Sequence, residues 1–201
     1  MAQKLILPIN KARVTASIDT RAYHSRFGFR HFGTDMISTD GKAIVYASGE
    51  GRVAAIGFDD AAGNVVAVVY FDCHNHRTGK AANLTFRYFH LSSIGVKVGQ
   101  RVNKDTILGR YGTTGRYCGT GAHLHLEADT DTVFPLFTPT VRASNLLRGT
   151  LQGAYAFDDP RCTVINPLAV LHYKPTPLDF QSYSTAGDDF IRPEDLQIPK
   201  Y

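Results

Sequence analysis

The chain has 201 residues, of which 43% are hydrophobic and 20% charged, a composition typical of a globular protein with a sizeable core. Its formal net charge of +4 is too small to indicate a nucleic-acid partner, and its basic residues interleave with acidic ones instead of forming a stripe. No run approaches the roughly 20 apolar residues that a membrane-spanning helix needs. The three cysteines are odd in number and widely spaced, which excludes the pattern of a disulfide framework.

The N-terminal residues contain one short apolar patch, residues 5–9, which Pro8 interrupts. This patch is too short to form the apolar region of a signal peptide. We therefore expect synthesis in the cytoplasm, and delivery by another component if the substrate lies outside the cell.

Short apolar runs separated by glycine, aspartate and asparagine predict a mainly β protein. The candidate strands are residues 43–47, 52–58, 65–71, 84–91, 107–111 and 123–128. Turn-forming residues at 59–64 predict a hairpin, and the polar segment 72–82 predicts a mobile loop. From residue 174 the composition changes to Pro, Ser, Asp and Gln, so we predict one domain over 1–173 and an extended polar tail over 174–201.

The densest cluster of reactive side chains is the His-x-His pair formed by His123 and His125. In a strand the two imidazoles share one face, about 6.6 Å apart, because side chains alternate with period two. One can then bind a metal while the other reaches water or substrate, and Leu124 and Leu126 face the core. The alternative is a pair of solvent-facing histidines on an edge strand.

His31 and Asp35 form a second candidate pair, spaced i, i+4. Imidazole and carboxylate are good zinc ligands, and three protein ligands with an open position make a catalytic site. One member of the 123/125 pair would complete that count. The alternative is a surface histidine beside an aspartate in a turn.

The remaining histidines have weaker signals. His90 ends the apolar run 84–91, where a structural histidine is the alternative to a catalytic one. His74 and His76 repeat the His-x-His spacing, but their turn-like surroundings predict a solvated loop. His24 lies close enough to His31 in sequence to line a groove.

The glycines of residues 111–115 and 119–121 match no nucleotide-binding fingerprint. They predict tight turns at the rim of a peptide-binding groove, and we include Thr114 and Tyr117 with His24 as candidate substrate contacts. Cys118 lies in the same glycine-rich region, five residues before His123. A cysteine peptidase or amidase that uses Cys118 is therefore an alternative.

Taken in order, five motifs resemble the lysostaphin-type (LytM-type) zinc endopeptidases of peptidoglycan. They are His31 with Asp35, residues 45–53, the Tyr-Phe-His-Leu of 88–91, the turn region 98–109, and residues 114–127, which end in His-Leu-His-Leu-Glu. The resemblance covers roughly residues 22–130. The sequence departs from the family in the segment 72–82 and from about residue 129 to 161, which leaves substrate preference open.

The resemblance implies a site and a fold. His31, Asp35 and His125 would hold one zinc ion, and His90 and His123 would be the unliganded catalytic histidines. The implied fold is an antiparallel β-sheet with a substrate groove, the duplicated hybrid motif fold of lysostaphin. Which of the two catalytic histidines is the general base stays open.

The resemblance also implies hydrolysis of peptide bonds in peptidoglycan, either stem-peptide cross-links or interpeptide bridges. A non-catalytic wall-binding or amidase-activating module on the same fold is the alternative. A wall substrate without a signal peptide predicts a phage or prophage protein, delivered through a holin pore or in the virion, or a specially exported enzyme.

Overall fold

The computed structural model describes residues 1–27, 30–75, 78–119, 121–132 and 163–173. Strands dominate these ranges, which confirms the mainly β prediction. Their bounds are β1 Leu5–Ile6, β2 Ala12–Ala16, β3 Thr34–Ser38, β4 Ile44–Tyr46, β5 Gly51–Asp59, β6 Gly63–His74, β7 Ala81–Phe89, β8 Leu91–Ile94, β9 Arg101–Val102, β10 Ile107–Tyr111, β11 Leu124–Asp129, β12 Val164–Ile165 and β13 Leu171–His172. The helix α1 spans Arg21–Phe27, and a 3-10 turn spans Pro167–Ala169. None of the described helices is long and apolar enough to cross a membrane.

A large antiparallel sheet carries most of the fold. Its strand order is β2–β3–β11–β7–β6–β5–β9, and β12 also pairs with β11. A smaller antiparallel sheet has the order β4–β10–β8, and β1 pairs in parallel with β13. The antiparallel architecture predicted from the sequence is therefore confirmed.

The hairpin predicted at residues 59–64 connects β5 to β6. The Asp59 carboxylate accepts hydrogen bonds from the backbone N–H groups of Ala61 and Ala62, at 2.8 and 3.0 Å. Gly63 completes the turn with a φ of +73°, a conformation that glycine adopts without a steric penalty.

Alternation along the central strands separates a hydrophobic core from a polar face. In β11, Leu124, Leu126 and Ala128 are fully buried in the main core cluster. His125 lies between them in sequence and therefore points to the opposite face. This confirms the expected alternation of the 123–128 segment, and it places the polar residues of the central strands together on one face.

The prediction of a mobile loop over residues 72–82 is wrong at both ends of the segment, where residues 72–74 and 81–82 belong to strands. Strand β6 continues through His74, and β7 begins at Ala81. Cys73 and His74 pair with Ala82 and Ala81 of β7, and the carbonyl of Gln3 accepts a further hydrogen bond from the backbone N–H of His74 at 2.8 Å. Half-buried His74 is thus a strand residue, whereas His76 lies outside the described residues.

Residues 163–173 return to the same fold. β12 pairs with β11, and Leu168, Val170 and Leu171 are buried in the main core cluster. The predicted tail 174–201 lies outside the described residues, so the domain bounds 1–173 and 174–201 stay predictions.

Candidate metal centre

Three of the predicted site residues meet at one buried point of the polar face. Asp35 in β3 is the direct cross-strand partner of His125 in β11. His31 precedes β3, and its carbonyl accepts a hydrogen bond from the backbone N–H of Asp19 at 2.8 Å. His31, Asp35 and His125 are 1%, 8% and 1% exposed, so the three side chains are withdrawn from bulk water.

The donor atoms of this cluster form a tight triangle. His31 Nε2 lies 3.1 Å from Asp35 Oδ1 and 3.0 Å from His125 Nδ1. His125 Nδ1 lies 2.8 Å from the same Asp35 oxygen. Two imidazole nitrogens and a carboxylate oxygen therefore face one point, as three ligands of a single cation would.

The remaining ring nitrogens of the two histidines face hydrogen-bond acceptors. His31 Nδ1 donates to the carbonyl of Ser17 at 2.7 Å, which leaves its Nε2 lone pair directed at the cluster. His125 Nε2 lies 3.4 Å from Glu127 Oε1, an arrangement that leaves Nδ1 for the cluster. Acceptors of this kind fix the tautomer and the ring orientation of metal-binding histidines.

His90 and His123, the two histidines to which the resemblance assigns a catalytic role, lie beside the cluster. Their ring centroids are 4.9 Å apart, and His123 Nε2 is 3.6 Å from Asp35 Oδ1. His90 Nδ1 donates to the carbonyl of Thr114 at 2.8 Å, and His123 Nδ1 donates to that of Gly121 at 2.8 Å. Each ring therefore keeps Nε2 as its free acceptor.

The pKa values of the site residues are shifted in different directions. Burial, together with His123 and His125, lowers the pKa of His90 to about 3, so His90 is neutral at pH 7. Burial also lowers the pKa of His125, but the carboxylates of Asp35 and Glu127 outweigh burial and raise it to about 9. Burial raises the pKa of Asp35, but neighbouring His31, His123 and His125 hold it well below its usual value.

The backbone of His90 is unusual for a residue between two strands. Its φ of +61° lies in the left-handed region, which costs a non-glycine residue about 1–2 kcal/mol. Such strain clusters at functional sites, where the surrounding structure holds it in place. In this conformation the His90 ring lies edge-on to the His123 ring, with centroids 4.9 Å apart.

Cys118 lies close to His123, with Sγ 3.7 Å from Nδ1. Burial and the Asp35 carboxylate raise the pKa of the Cys118 thiol to about 11. A nucleophilic cysteine needs a lowered thiol pKa. Cys118 is therefore near enough to His123 for a cysteine-peptidase mechanism, but its raised thiol pKa disfavours the thiolate that this mechanism needs.

The three candidate substrate contacts occupy different surroundings. His24 is an exposed residue of α1, and Tyr117 packs against a small apolar cluster that includes Phe89. The Thr114 hydroxyl donates to the carbonyl of Leu91 at 3.0 Å, so Thr114 holds the site together internally. Their contact with substrate stays a prediction.

Sequence reasoning did not single out Tyr23, Ser17 or Arg87. The Tyr23 ring stacks on His31 with centroids 4.1 Å apart, and burial raises its pKa well above the usual value. Ser17 contributes through its backbone carbonyl, which no side-chain motif can reveal. The alternation of β7 could have placed Arg87 on the polar face.

A sequence model of peptidase family M23 matches residues 29–135, more than half of the chain. The chain belongs to peptidase family M23. The match contains all five histidine and aspartate side chains of the site.

Among curated proteins, the chain is 35% identical over 120 residues to peptidoglycan DD-endopeptidase ShyA of Vibrio cholerae. The alignment covers 59% of this chain and 25% of ShyA, so the chain spans about a quarter of that relative's length.

Two solved structures show the same fold. A zinc-containing peptidase from Vibrio cholerae superposes with a TM-score of 0.53 at 24% identity, covering 87% of this chain and 41% of that one. A chain of the SpoIIQ–SpoIIIAH pore-forming complex superposes with a TM-score of 0.56 at 18% identity, covering 85% and 92%.

The donor set of the M23 site fits a zinc ion. Ligands at zinc's usual bond lengths in a tetrahedron lie about 3.3 Å apart. The three donor–donor distances in the cluster are 2.8, 3.0 and 3.1 Å. The described residues contain a second group that could hold a metal ion, His90, Cys118 and His123.

Proposed function

We propose that this chain is a zinc-dependent endopeptidase that hydrolyses peptide bonds in bacterial peptidoglycan. The observation that carries the proposal is the convergence of His31 Nε2, Asp35 Oδ1 and His125 Nδ1 within 3.1 Å of one another. Membership of a peptidase family and the identity to ShyA support the reaction and its substrate class. One zinc ion bound by these three residues is the cofactor.

A bound zinc ion supplies Lewis-acid chemistry, which polarises a carbonyl group and lowers the pKa of water. The chain's own task is proton transfer, which we assign to His90 and His123. Each ring is held by a hydrogen bond from Nδ1 to a backbone carbonyl, so its Nε2 can accept a proton. Such a pair can take a proton from the attacking water and return one to the leaving amine.

Low exposure strengthens this arrangement. His90 and His125 are each 1% exposed, and charge interactions are stronger in a site withdrawn from water. The neutral form of His90 is the form that accepts a proton. Desolvation therefore keeps the His90 ring neutral at neutral pH, but it also weakens the ring as a base, because the imidazolium is disfavoured in the same surroundings.

Stem-peptide cross-links are the bond class that we favour, because the relative ShyA is a DD-endopeptidase. Interpeptide bridges are the competing substrate. The predicted phage source, with delivery by a holin pore or a virion, stays a prediction, as do the substrate contacts of His24 and Tyr117.

The test combines metal analysis with wall digestion. The purified chain should contain one zinc ion and should release new amino groups from peptidoglycan, and mass spectrometry of the fragments identifies the bond. Removal of the metal with a chelator should abolish release, and added zinc should restore it. Zinc binding without release from walls of either cross-link type would favour the non-catalytic module instead.

A further inference from the structure

Three buried charged side chains, Arg87, Glu127 and Asp129, lie behind His125 and are called the buried charge network below. Glu127 and Asp129 follow His125 on the polar face of β11, because side chains alternate along a strand. Arg87 of β7 is the direct cross-strand partner of Glu127. Arg87, Glu127 and Asp129 are all 0% exposed.

Contacts connect these residues in sequence. Asp129 Oδ2 lies 2.9 Å from Arg87 Nη2, and Arg87 Nη1 lies 3.4 Å from Glu127 Oε2. The other Glu127 oxygen, Oε1, lies 3.4 Å from His125 Nε2. The guanidinium thus bridges two carboxylates, and one of them also contacts a residue of the cation cluster.

Burial of so many charged groups is poorly explained by stability alone. Removing charges from water is costly, and well-packed apolar residues often replace a buried ion network without loss of stability. A planar guanidinium can contact two carboxylates in a fixed geometry, which a lysine ammonium cannot reproduce. The arrangement is therefore suited to hold Glu127 at a defined position and angle.

We propose that Arg87 and Asp129 are positioning residues that hold Glu127 against His125 and thereby increase the affinity of the cluster for its cation. Glu127 accepts the Nε2–H of His125 and so keeps the Nδ1 lone pair directed at Asp35 and His31. Loss of such a partner typically weakens metal binding about 10–100-fold. The inference rests on the proposed function only in requiring that the cluster binds zinc.

The test measures zinc affinity in four proteins: wild type, Arg87→Lys, Glu127→Gln and the double variant. Competition with a chromophoric chelator reports the zinc dissociation constant, and the visible absorption of the cobalt-substituted protein reports the ligand field. We expect Glu127→Gln to weaken zinc binding about 10–100-fold. Because Arg87 acts through Glu127, Arg87→Lys should weaken binding about tenfold in the wild-type background and less than about threefold in the Glu127→Gln background.

A general loss of stability is separated from positioning by a matched control. Val68→Ala removes buried volume from β6 in the main core cluster and leaves the residues of the buried charge network unchanged. It should therefore lower the melting temperature and leave zinc affinity unchanged. If Arg87→Lys does not fold, Asp129→Asn is the second variant that tests the positioning role. The asparagine oxygen can still accept the backbone N–H of Asp131, which Asp129 Oδ1 accepts at 2.8 Å. We expect this variant to weaken zinc binding about three- to tenfold.

The outcomes are distinct. The positioning role would be overturned if Arg87→Lys, Glu127→Gln and Asp129→Asn bind zinc as tightly as the wild type. It would also be overturned if Arg87→Lys weakens zinc binding equally in the wild-type and Glu127→Gln backgrounds. A wild-type protein that binds no zinc would instead overturn the proposed function. The inference is supported if Arg87→Lys weakens zinc binding in the wild-type background but much less in the Glu127→Gln background, and if the cobalt spectrum of Glu127→Gln is shifted.

Discussion

Asp35 and His125 lie directly opposite each other across the β3–β11 pair, with Asp35 Oδ1 2.8 Å from His125 Nδ1. Two residues 90 positions apart in the chain are thus brought together by sheet register. A slip of one residue would turn one of the two side chains to the core face. The buried apolar residues that flank them in their strands, Met36, Leu124 and Leu126, therefore specify the register strongly. His31 lies outside this strand pairing and is held instead by its hydrogen bond to the carbonyl of Ser17, by the backbone N–H of Asp19 and by the stacked ring of Tyr23.

Removal of a cluster residue and removal of a flanking histidine should affect zinc differently. We expect His31→Ala and Asp35→Ala to lose the metal, because each deletes one of three donors. His123→Ala should retain zinc and lose turnover by about 10²–10⁴-fold, the usual contribution of a general acid–base group. Metal content by mass spectrometry and amine release from peptidoglycan measure the two effects. An empty site in His123→Ala would refute this division of roles.

Substitution of Gly33 should damage the site through steric contact. A Cβ at this position would lie 2.6 Å from His125 Nε2, and it would also meet the carbonyl oxygen of Leu126. We expect Gly33→Ala to weaken zinc binding and to lower the free energy of unfolding by about 1–3 kcal/mol. Gly95→Ala is the matched control, since its nearest new contact is an ordinary 3.4 Å. Equal zinc affinity in both variants would contradict the prediction.

Replacement of His90 by asparagine separates its ring chemistry from its backbone conformation. Asparagine tolerates a positive φ better than most residues, so the strained turn at +61° should persist. We expect His90→Asn to fold with a melting temperature close to that of the wild type and to lose most of its activity. Thermal denaturation and wall digestion test the two parts. Full activity in this variant would exclude His90 from proton transfer.

Activity should depend on the metal and not on the Cys118 thiol. The pKa of this thiol, raised by burial and by Asp35 to about 11, leaves little thiolate at neutral pH. We expect Cys118→Ser to retain activity within a few-fold, and we expect a chelator to abolish it. Inactivation by iodoacetamide, with no effect of the chelator, would instead support the cysteine mechanism.

The buried Cys73 thiol should be protected from alkylation in the native state. Burial, aided by Asp72, raises its pKa from 9.0 to about 12, so at pH 8 the thiolate fraction falls about 1,000-fold. Because the pKa of this acid is raised on folding, the associated stability is present below about pH 9 and is lost as the pH rises towards 12. Alkylation rates of the Cys73 peptide in native and urea-unfolded protein, measured by mass spectrometry, test this. Similar rates at pH 8 would contradict it.

Local sequence pattern indicated several of the central strands, whereas the choice of His31, Asp35 and His125 as ligands came from the ordered motifs that resemble the family. The alternation of residues 123–128 predicted which side chains face the core, and the buried Leu124 and Leu126 agree with it. Side-chain alternation is a local property of the backbone, so it can be read from neighbouring residues. The segment 72–82 was mispredicted because its polar composition does not indicate the pairing of Cys73 and His74 with Ala82 and Ala81, which distant Gln3 supports through a further backbone hydrogen bond.

What the sequence by itself determined is the set of residue types and their order: His31, Asp35, His90, His123 and His125 on short strands and turns. Only the tertiary structure decided which atoms converge. It directed Nδ1 of His125 and Nε2 of His31 at Asp35, placed the Ser17 carbonyl behind one ring, and connected the other through Glu127 to buried Arg87. The physical reason is that sheet register and the acceptors behind each ring join distant segments, and local periodicity carries no information about those distances.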